Sequence, residues 1–118
     1  MTEFESRLAD LIWEHEPVAS GELVRLCETH FHWKKSTTYT MLKRICEQGM
    51  FKNENARITS VVSKEEYRQS QGEEFIRQNF GGSVPGFLAG FMDRRRLSRR
   101  QIEEIKEMIA RYEEEEEL

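Results

Sequence analysis

Trp33-Lys34-Lys35-Ser36-Thr37-Thr38-Tyr39-Thr40-Met41-Leu42-Lys43-Arg44-Ile45-Cys46-Glu47-Gln48-Gly49 is the stretch that decides how the rest of the chain is read. Thr38, Leu42 and Ile45 recur at helical spacing, with Met41 beside them, and predict the apolar stripe of an amphipathic helix. Ser36, Thr37, Tyr39, Thr40, Lys43 and Arg44 fall on the other side. That face carries hydroxyls and cations, and no carboxylate before Glu47. Hydroxyls bond phosphates or base edges, and an Arg guanidinium matches guanine with two parallel hydrogen bonds. Gly49 stands where a left-handed residue commonly ends a helix. The pattern is that of a helix that reads DNA.

The residues before this stretch predict two supporting helices. Thr2 and Glu5 have capping-box spacing. Phe4, Leu8, Leu11 and Ile12 form a stripe, with Trp13 next to it. Pro17 ends helix 1, because the residue before a proline is pushed out of helical space. Val18-Ala19 reads as a short extended link or a very short strand, and Ser20 as the cap of helix 2, whose stripe is Leu23, Leu26 and Cys27. Phe31 and Trp33 in the following turn supply two large aromatics to pin the third helix to helix 1 or 2. After Gly49 the period changes. Met50-Phe51-Lys52 and Arg57-Ile58-Thr59-Ser60-Val61-Val62 read as strands, with Asn53-Glu54-Asn55-Ala56 as the turn. Three helices followed by a β-hairpin is the order of a winged helix-turn-helix domain, assigned to residues 1–63. Lys52 and Arg57 on the hairpin are placed to reach a DNA backbone.

Residues 64–118 read as a helical dimerisation region with an acidic tail. Ser63 and Glu66 predict a capping box for a connecting helix that ends in Phe75, Ile76 and Phe80. Gly81-Gly82-Ser83 breaks it. A short helix follows with Pro85 in its first turn, and Val84, Phe87, Leu88, Phe91 and Met92 are more apolar residues than one face of a short helix can hide. Arg94-Arg95-Arg96 and Arg99-Arg100 form a basic joint around a third capping pair, Ser98 and Gln101. The last helix carries Ile102, Ile105, Met108, Ile109 and Tyr112 as a coiled-coil-like seam. Phe75, Phe80, Phe87, Leu88, Phe91, Met92, Ile102, Ile105, Met108, Ile109 and Tyr112 are therefore the expected dimer contacts, with a second copy of the chain as partner. The fold class is mainly α with a small β-hairpin.

Composition sets bounds on function. The chain has 118 residues, 37% hydrophobic and 34% charged, with a net charge of −4. Bulk basicity thus does not argue for nucleic acid; the distribution does. Residues 33–57 hold six cations (Lys34, Lys35, Lys43, Arg44, Lys52, Arg57) and two acids (Glu47, Glu54), while 113–117 are five consecutive Glu. No apolar run reaches the roughly 20 residues of a membrane span, and the first residues lack the apolar core of a signal peptide, so no membrane insertion and a cytoplasmic location are expected. No Gly-rich phosphate loop, no HExxH and no nucleophile with a paired base is present, so no catalytic residue and no cofactor is assigned. Two alternatives stay open on the residues. One is a winged module that binds protein. The other is a metal-responsive regulator in which Cys27, His30 and His32 contribute ligands, although a closed zinc site needs four.

With these pieces in place, the chain resembles the BlaI/MecI/CopY family of bacterial repressors, the penicillinase repressor family. The resemblance runs through Leu8 to Trp13, the Trp33…Thr37-x-x-Thr40-x-Leu42-x-Arg44-x-x-x-x-Gly49 signature, Tyr67, Phe80-x-Gly82-Ser83 and Leu97-Ser98-x-x-x-Ile102-x-x-Ile105. It implies a homodimer whose winged domains each read half of an inverted-repeat, double-stranded DNA operator, blocking transcription. In the β-lactam branch a membrane sensor with a metalloprotease domain triggers cleavage of the repressor in its dimerisation region. The family's scissile Asn-Phe bond aligns with Gly90-Phe91, where the Phe matches and the Asn is replaced. The copper branch uses a C-terminal Cys cluster, which this chain lacks. Lys34-Lys35 stand where the β-lactam branch often has Ser-Pro. Two cations at a helix N-terminus oppose its dipole by a few tenths of a kcal/mol each, but near phosphate they release counterions and add affinity.

Overall fold

The computed structural model describes residues 1–94 and 96–117, apart from the Glu117 side chain. Arg95 of the basic joint and Leu118 lie outside the described residues. Six helices and one three-stranded antiparallel sheet are present among them: α1 (Glu3–His15), β1 (Val18–Ala19), α2 (Ser20–Phe31), α3 (Lys35–Glu47), β2 (Phe51–Glu54), β3 (Arg57–Ser60), α4 (Lys64–Phe80), α5 (Val84–Arg94) and α6 (Arg99–Glu117). The sheet order is β1-β3-β2. The first part is a winged helix domain and helices follow it, as the residue pattern predicts. The chain divides into two units, Met1–Gln71 and Gly72–Leu118, and the division falls inside α4.

The first unit has a continuous apolar core. Leu8, Ala9, Leu11 and Ile12 of α1, Leu23 and Cys27 of α2, Leu42 and Ile45 of α3, and Val18, Phe51 and Ile58 of the sheet are all buried. Full burial of one such aliphatic side chain contributes roughly 1.5–3 kcal/mol. α1 begins with the expected reciprocal box: Thr2 Oγ1 accepts from the Glu5 amide at 3.2 Å, and Glu5 Oε2 accepts from the Thr2 amide at 2.9 Å. It ends just before Pro17. The carboxylate of Glu16 then accepts from both the amide and the hydroxyl of Ser60, at 2.9 and 2.7 Å, and so ties β3 to the end of α1. Trp13 Nε1 donates to the Val62 carbonyl at 3.0 Å, and its ring lies 5.2 Å from that of Phe51 and 5.9 Å from that of Tyr67.

Two local expectations are corrected. Ser20 is not the cap of α2 but its first residue; Ala19 occupies the cap position without a side-chain bond. The Ser20 amide donates to the Ala56 carbonyl at 2.8 Å, so the hairpin turn supplies a backbone acceptor to the first residue of α2. The hairpin turn is also shorter than Asn53–Ala56. Asn53 pairs with Ile58 and Glu54 with Arg57, leaving Asn55 and Ala56 as the two turn residues. Both have left-handed backbones, at φ 52° and 60°. That is the two-residue connection whose twist matches the strands, usually built from Asn-Gly.

The second unit has no buried residue in α5. Both halves of the Ser98–Gln101 box form at the start of α6, at 3.2 and 3.1 Å. At Ser63, one half forms, with the Glu66 amide donating to Ser63 Oγ at 3.0 Å. Ser83 Oγ accepts from the Gly86 amide at 2.9 Å and starts α5. Among the described residues no helix is long and apolar enough to cross a membrane.

Candidate nucleic-acid interface

α3 is held at both ends by side chains and backbone that the sequence spacing made available. Before it, His32 turns the chain at φ 58°. Trp33 then packs its ring 6.0 Å from Phe4 of α1 and 5.0 Å from Phe31 of α2. After it, Gly49 takes φ 81°, the Gly49 amide donates to the Cys46 carbonyl at 3.0 Å, and the Met50 amide donates to the Ile45 carbonyl at 3.3 Å. This pair of bonds satisfies the last carbonyls of the helix and needs a residue that tolerates a positive φ. Gln48 Nε2 donates to Glu5 Oε2 at 3.3 Å, tying the end of α3 to the start of α1. The Thr2 amide first, and then Gln48, hold the Glu5 carboxyl below its ordinary pKa, and the Arg44 charge adds to this.

Thr38, Leu42 and Ile45 are buried and Met41 is partly buried. Ser36, Tyr39, Thr40, Lys43 and Arg44 are exposed, and Thr37 is half-buried. Thr40 Oγ1 donates to the Ser36 carbonyl at 2.9 Å, which leaves its lone pairs facing outward as acceptors. Lys35 Nζ lies 5.9 Å from the centre of the Tyr39 ring. Among the described residues no ion pair forms at Lys34, Lys35, Lys43, Arg44 or Arg57. Lys34 caps α3 without a side-chain bond, and the first turn contains no acid. The first amides and the positive end of the helix dipole are therefore not neutralised, a combination that favours an anion such as phosphate.

The wing adds a second set of charges. The register places Lys52 opposite Thr59 and Glu54 opposite Arg57. Lys52 Nζ also lies 3.7 Å from Glu54 Oε1, with both side chains more than half exposed, so the pair is weak. Glu54 thus offsets part of the positive charge at the wing. Between α3 and β2 lies an open cleft of about 420 Å³, lined by Tyr39, Leu42, Lys43, Cys46, Glu47 and Asn53. Asn53 and Glu47 were not singled out from sequence. Only the hairpin register brings Asn53 to α3, and the one available signal for Glu47 is its position four residues after Lys43 on the outer face.

The penicillinase repressor family model matches residues 1–111. The chain belongs to this family. A penicillinase repressor of Bacillus licheniformis is 19% identical over 116 residues, covering 95% of this chain and 91% of that protein. The methicillin resistance regulatory protein MecI of Mammaliicoccus sciuri is 19% identical over 109 residues, covering 89% of each chain, as is MecI of Staphylococcus aureus strain N315. The family is one of transcriptional repressors, so repression of transcription is the coarse function.

In this penicillinase repressor family member the apolar residues expected at a dimer contact have these positions. Phe75, Phe80 and Phe87 form a ring cluster, with Phe80 and Phe87 5.5 Å apart, and Phe91 continues it at 6.5 Å from Phe87. Gly90 lies against the Phe80 ring, which an added Cβ would meet at 3.9 Å. Leu88, Ile102 and Ile105 are half-buried, while Phe75, Phe91, Met92, Met108, Ile109 and Tyr112 are exposed. The Gly90-Phe91 bond lies inside α5 and is helical.

The set Cys27, His30 and His32 is not assembled. Cys27 is fully buried among the core of α1, α2 and α3, and that burial pushes its thiol pKa up. His30 and His32 are exposed, and the His30 ring lies 6.2 Å from that of Phe31. Among the described residues no group of three or more His, Cys, Asp or Glu could hold a metal ion. A Cys-x-x-His-x-His spacing at the end of a helix sends its first member inward and the others outward.

Proposed function

We propose that this protein is a dimeric, sequence-specific repressor, in which a domain of residues 1–63 binds one half of an inverted-repeat operator and residues 64–118 join two copies. One observation carries the reading: the outer face of α3 presents hydroxyls and cations with no ion pair among the described residues, together with an acid-free N-terminus that has no side-chain cap. Thr37, Tyr39, Thr40 and Arg44 are assigned to base edges and nearby phosphates. Lys34, Lys35, Ser36, Lys43, Lys52 and Arg57 are assigned to the backbone, with Lys52 contributing less because Glu54 lies beside it. The exposed Phe91, Met92, Ile109 and Tyr112 support a second copy as the partner of the C-terminal region. Kinship with a penicillinase repressor and with methicillin resistance regulators supports a role in controlling an antibiotic-resistance function.

Relief by cleavage at Gly90-Phe91, triggered through a membrane-sensor protease, is the finer part of this proposal. Both residues are helical in α5, so a protease must first unwind that helix to extend the bond. A fragment beginning at Phe91 in cells exposed to a β-lactam is the expected product.

Binding to the duplex upstream of the protein's own gene, followed by fluorescence anisotropy across a salt series, tests the main reading. The expected result is preference over a scrambled duplex, two chains per site, and a steep fall in affinity with salt as phosphate counterions return. Equal, salt-independent affinity for both duplexes contradicts it and points to a winged module whose partner is a protein.

A further inference from the structure

α4 is anchored in two places and unsupported between them. Near its start, Lys64 Nζ lies 3.1 Å from Asp10 Oδ1 of α1, and the Tyr67 ring lies 5.9 Å from that of Trp13. Toward its end, Arg77 Nε donates to Glu74 Oε2 at 3.1 Å, and the Phe75 ring lies 6.0 Å from that of Phe80. Between these anchors Arg68, Gln69, Ser70, Gln71, Gly72 and Glu73 are all exposed, and among the described residues no ion pair forms at them. With no packed face, that stretch draws its stability from backbone propensity alone. The two features that most weaken a helix occur there together. Gly72 lies in the helix interior, where only proline is a poorer helix former. A Cβ added at Gly72 would meet nothing within 4 Å, and its φ is not positive, so neither space nor conformation requires a glycine. Two residues earlier, Ser70 Oγ donates to the Tyr67 carbonyl at 3.0 Å. That carbonyl is also the helical acceptor for the Gln71 amide, and such competition bends helices. Gly and Ser together are a common origin of helix kinks. The division between the two compact units falls at the same place, between Gln71 and Gly72.

We propose that Ser70 and Gly72 form a soft joint in α4 that sets which operator spacings the repressor accepts, with Gly72 as the positioning residue. The inference rests on the dimeric repressor reading and adds a determinant of operator choice that touches no DNA. Two winged domains on one inverted repeat must match both the separation and the helical phase of its half-sites. One extra base pair moves the half-sites apart by about 3.4 Å and turns one against the other by roughly 35°. A rigid α4 would carry that mismatch into the contacts of α3. A helix that opens at Gly72 absorbs it in a few backbone dihedrals, as hinges do. Replacing glycine by alanine in a helix interior changes the opening equilibrium of each α4 by about two- to fivefold, and so by roughly tenfold for the two copies in a dimer.

The test uses the full chain and the duplex upstream of the protein's own gene. Footprinting locates the inverted repeat, and the duplex is rebuilt with one or two base pairs inserted or removed at its centre. The readout is the ratio of affinity for each altered duplex to affinity for the natural one. Gly72→Ala should lower that ratio by roughly tenfold relative to the wild type. Gln71→Gly, which adds a second glycine beside the first, should raise it. An unchanged ratio in both variants, with two chains still bound per site, overturns the joint and leaves the repressor standing. A wild-type chain with no preference over a scrambled duplex removes the repressor reading itself, and the role of the joint with it. Amide hydrogen exchange of the free full chain reads the joint without DNA. Amides of residues 71–74 should exchange faster than those of the flanking turns of α4, and Gly72→Ala should slow them about two- to fivefold. Uniform protection along α4 would overturn the proposal even where operator binding holds.

Discussion

Ile45 in α3 and Ile109 in α6 are the same residue on the apolar stripe of an amphipathic helix, yet Ile45 has no exposed surface and Ile109 keeps 54% of its own. The difference extends to the units around them. Residues 1–71 enclose a core to which all three early helices and the sheet contribute. Residues 72–118 form ring contacts among Phe75, Phe80, Phe87 and Phe91 but bury nothing in α4 or α5. The first unit can meet the entropy of ordering its chain from its own contacts. The second unit lacks that internal compensation, which the proposed dimer would supply.

The largest expected effect tests the first half of this contrast. Ile45→Ala should destabilise the N-terminal unit by about 2–5 kcal/mol, from lost transfer energy and the cavity left behind. Chemical denaturation followed by Trp fluorescence measures it, because Trp13 and Trp33 both report on this unit. A loss under 1 kcal/mol would mean that α3 is not anchored as described. Arg44→Ala, on the exposed face of the same helix, should leave that stability within about 0.5 kcal/mol. It should cost roughly 1–3 kcal/mol in operator affinity and relax preference at one base pair, if Arg44 pairs with guanine. Uniform weakening on all duplexes would reassign Arg44 to phosphate.

Glu5 links the start of α1 to the end of α3 and gives the N-terminal unit an acid sensitivity. Its folded pKa is lowered, chiefly by the Thr2 amide. Its contribution is therefore present above the ordinary glutamate value of about 4.3 and is lost as pH falls below that toward the folded value. Glu5→Gln should destabilise the unit at pH 6, and the difference should shrink toward pH 3. A constant difference across this range would place the effect in packing instead of charge. The smallest effect concerns the hairpin turn. Ala56 holds a left-handed backbone at φ 60°, so Ala56→Gly should raise stability by about 0.5–1 kcal/mol.

Much of this was legible in the residues, for physical reasons that differ by element. The α3 stripe of Thr38, Leu42 and Ile45 follows from helical period alone, and the same residues are buried. The Thr2–Glu5 and Ser98–Gln101 boxes depend only on a three-residue spacing and form as expected. What failed depends on contacts distant in sequence. Ser20 has capping chemistry, but it is the first residue of α2 and its amide donates to Ala56 in the hairpin turn. The length of the hairpin turn is not marked in the residues, because Asn55-Ala56 lacks the glycine usual in two-residue turns. Cys27, His30 and His32 have ligand spacing, yet the helix end divides them between core and surface. Asn53 reaches the α3 cleft only through hairpin register.

The contrast between the two units is tested most directly by amide hydrogen exchange read at two protein concentrations, above and below the dimer dissociation constant set by sedimentation. On dilution, amides of α5 and α6 should lose protection, while those of α1, α2 and α3 keep theirs. Equal protection of α5 and α6 in a sample shown to be monomeric would contradict the account, because the C-terminal helices would then be stable without a partner.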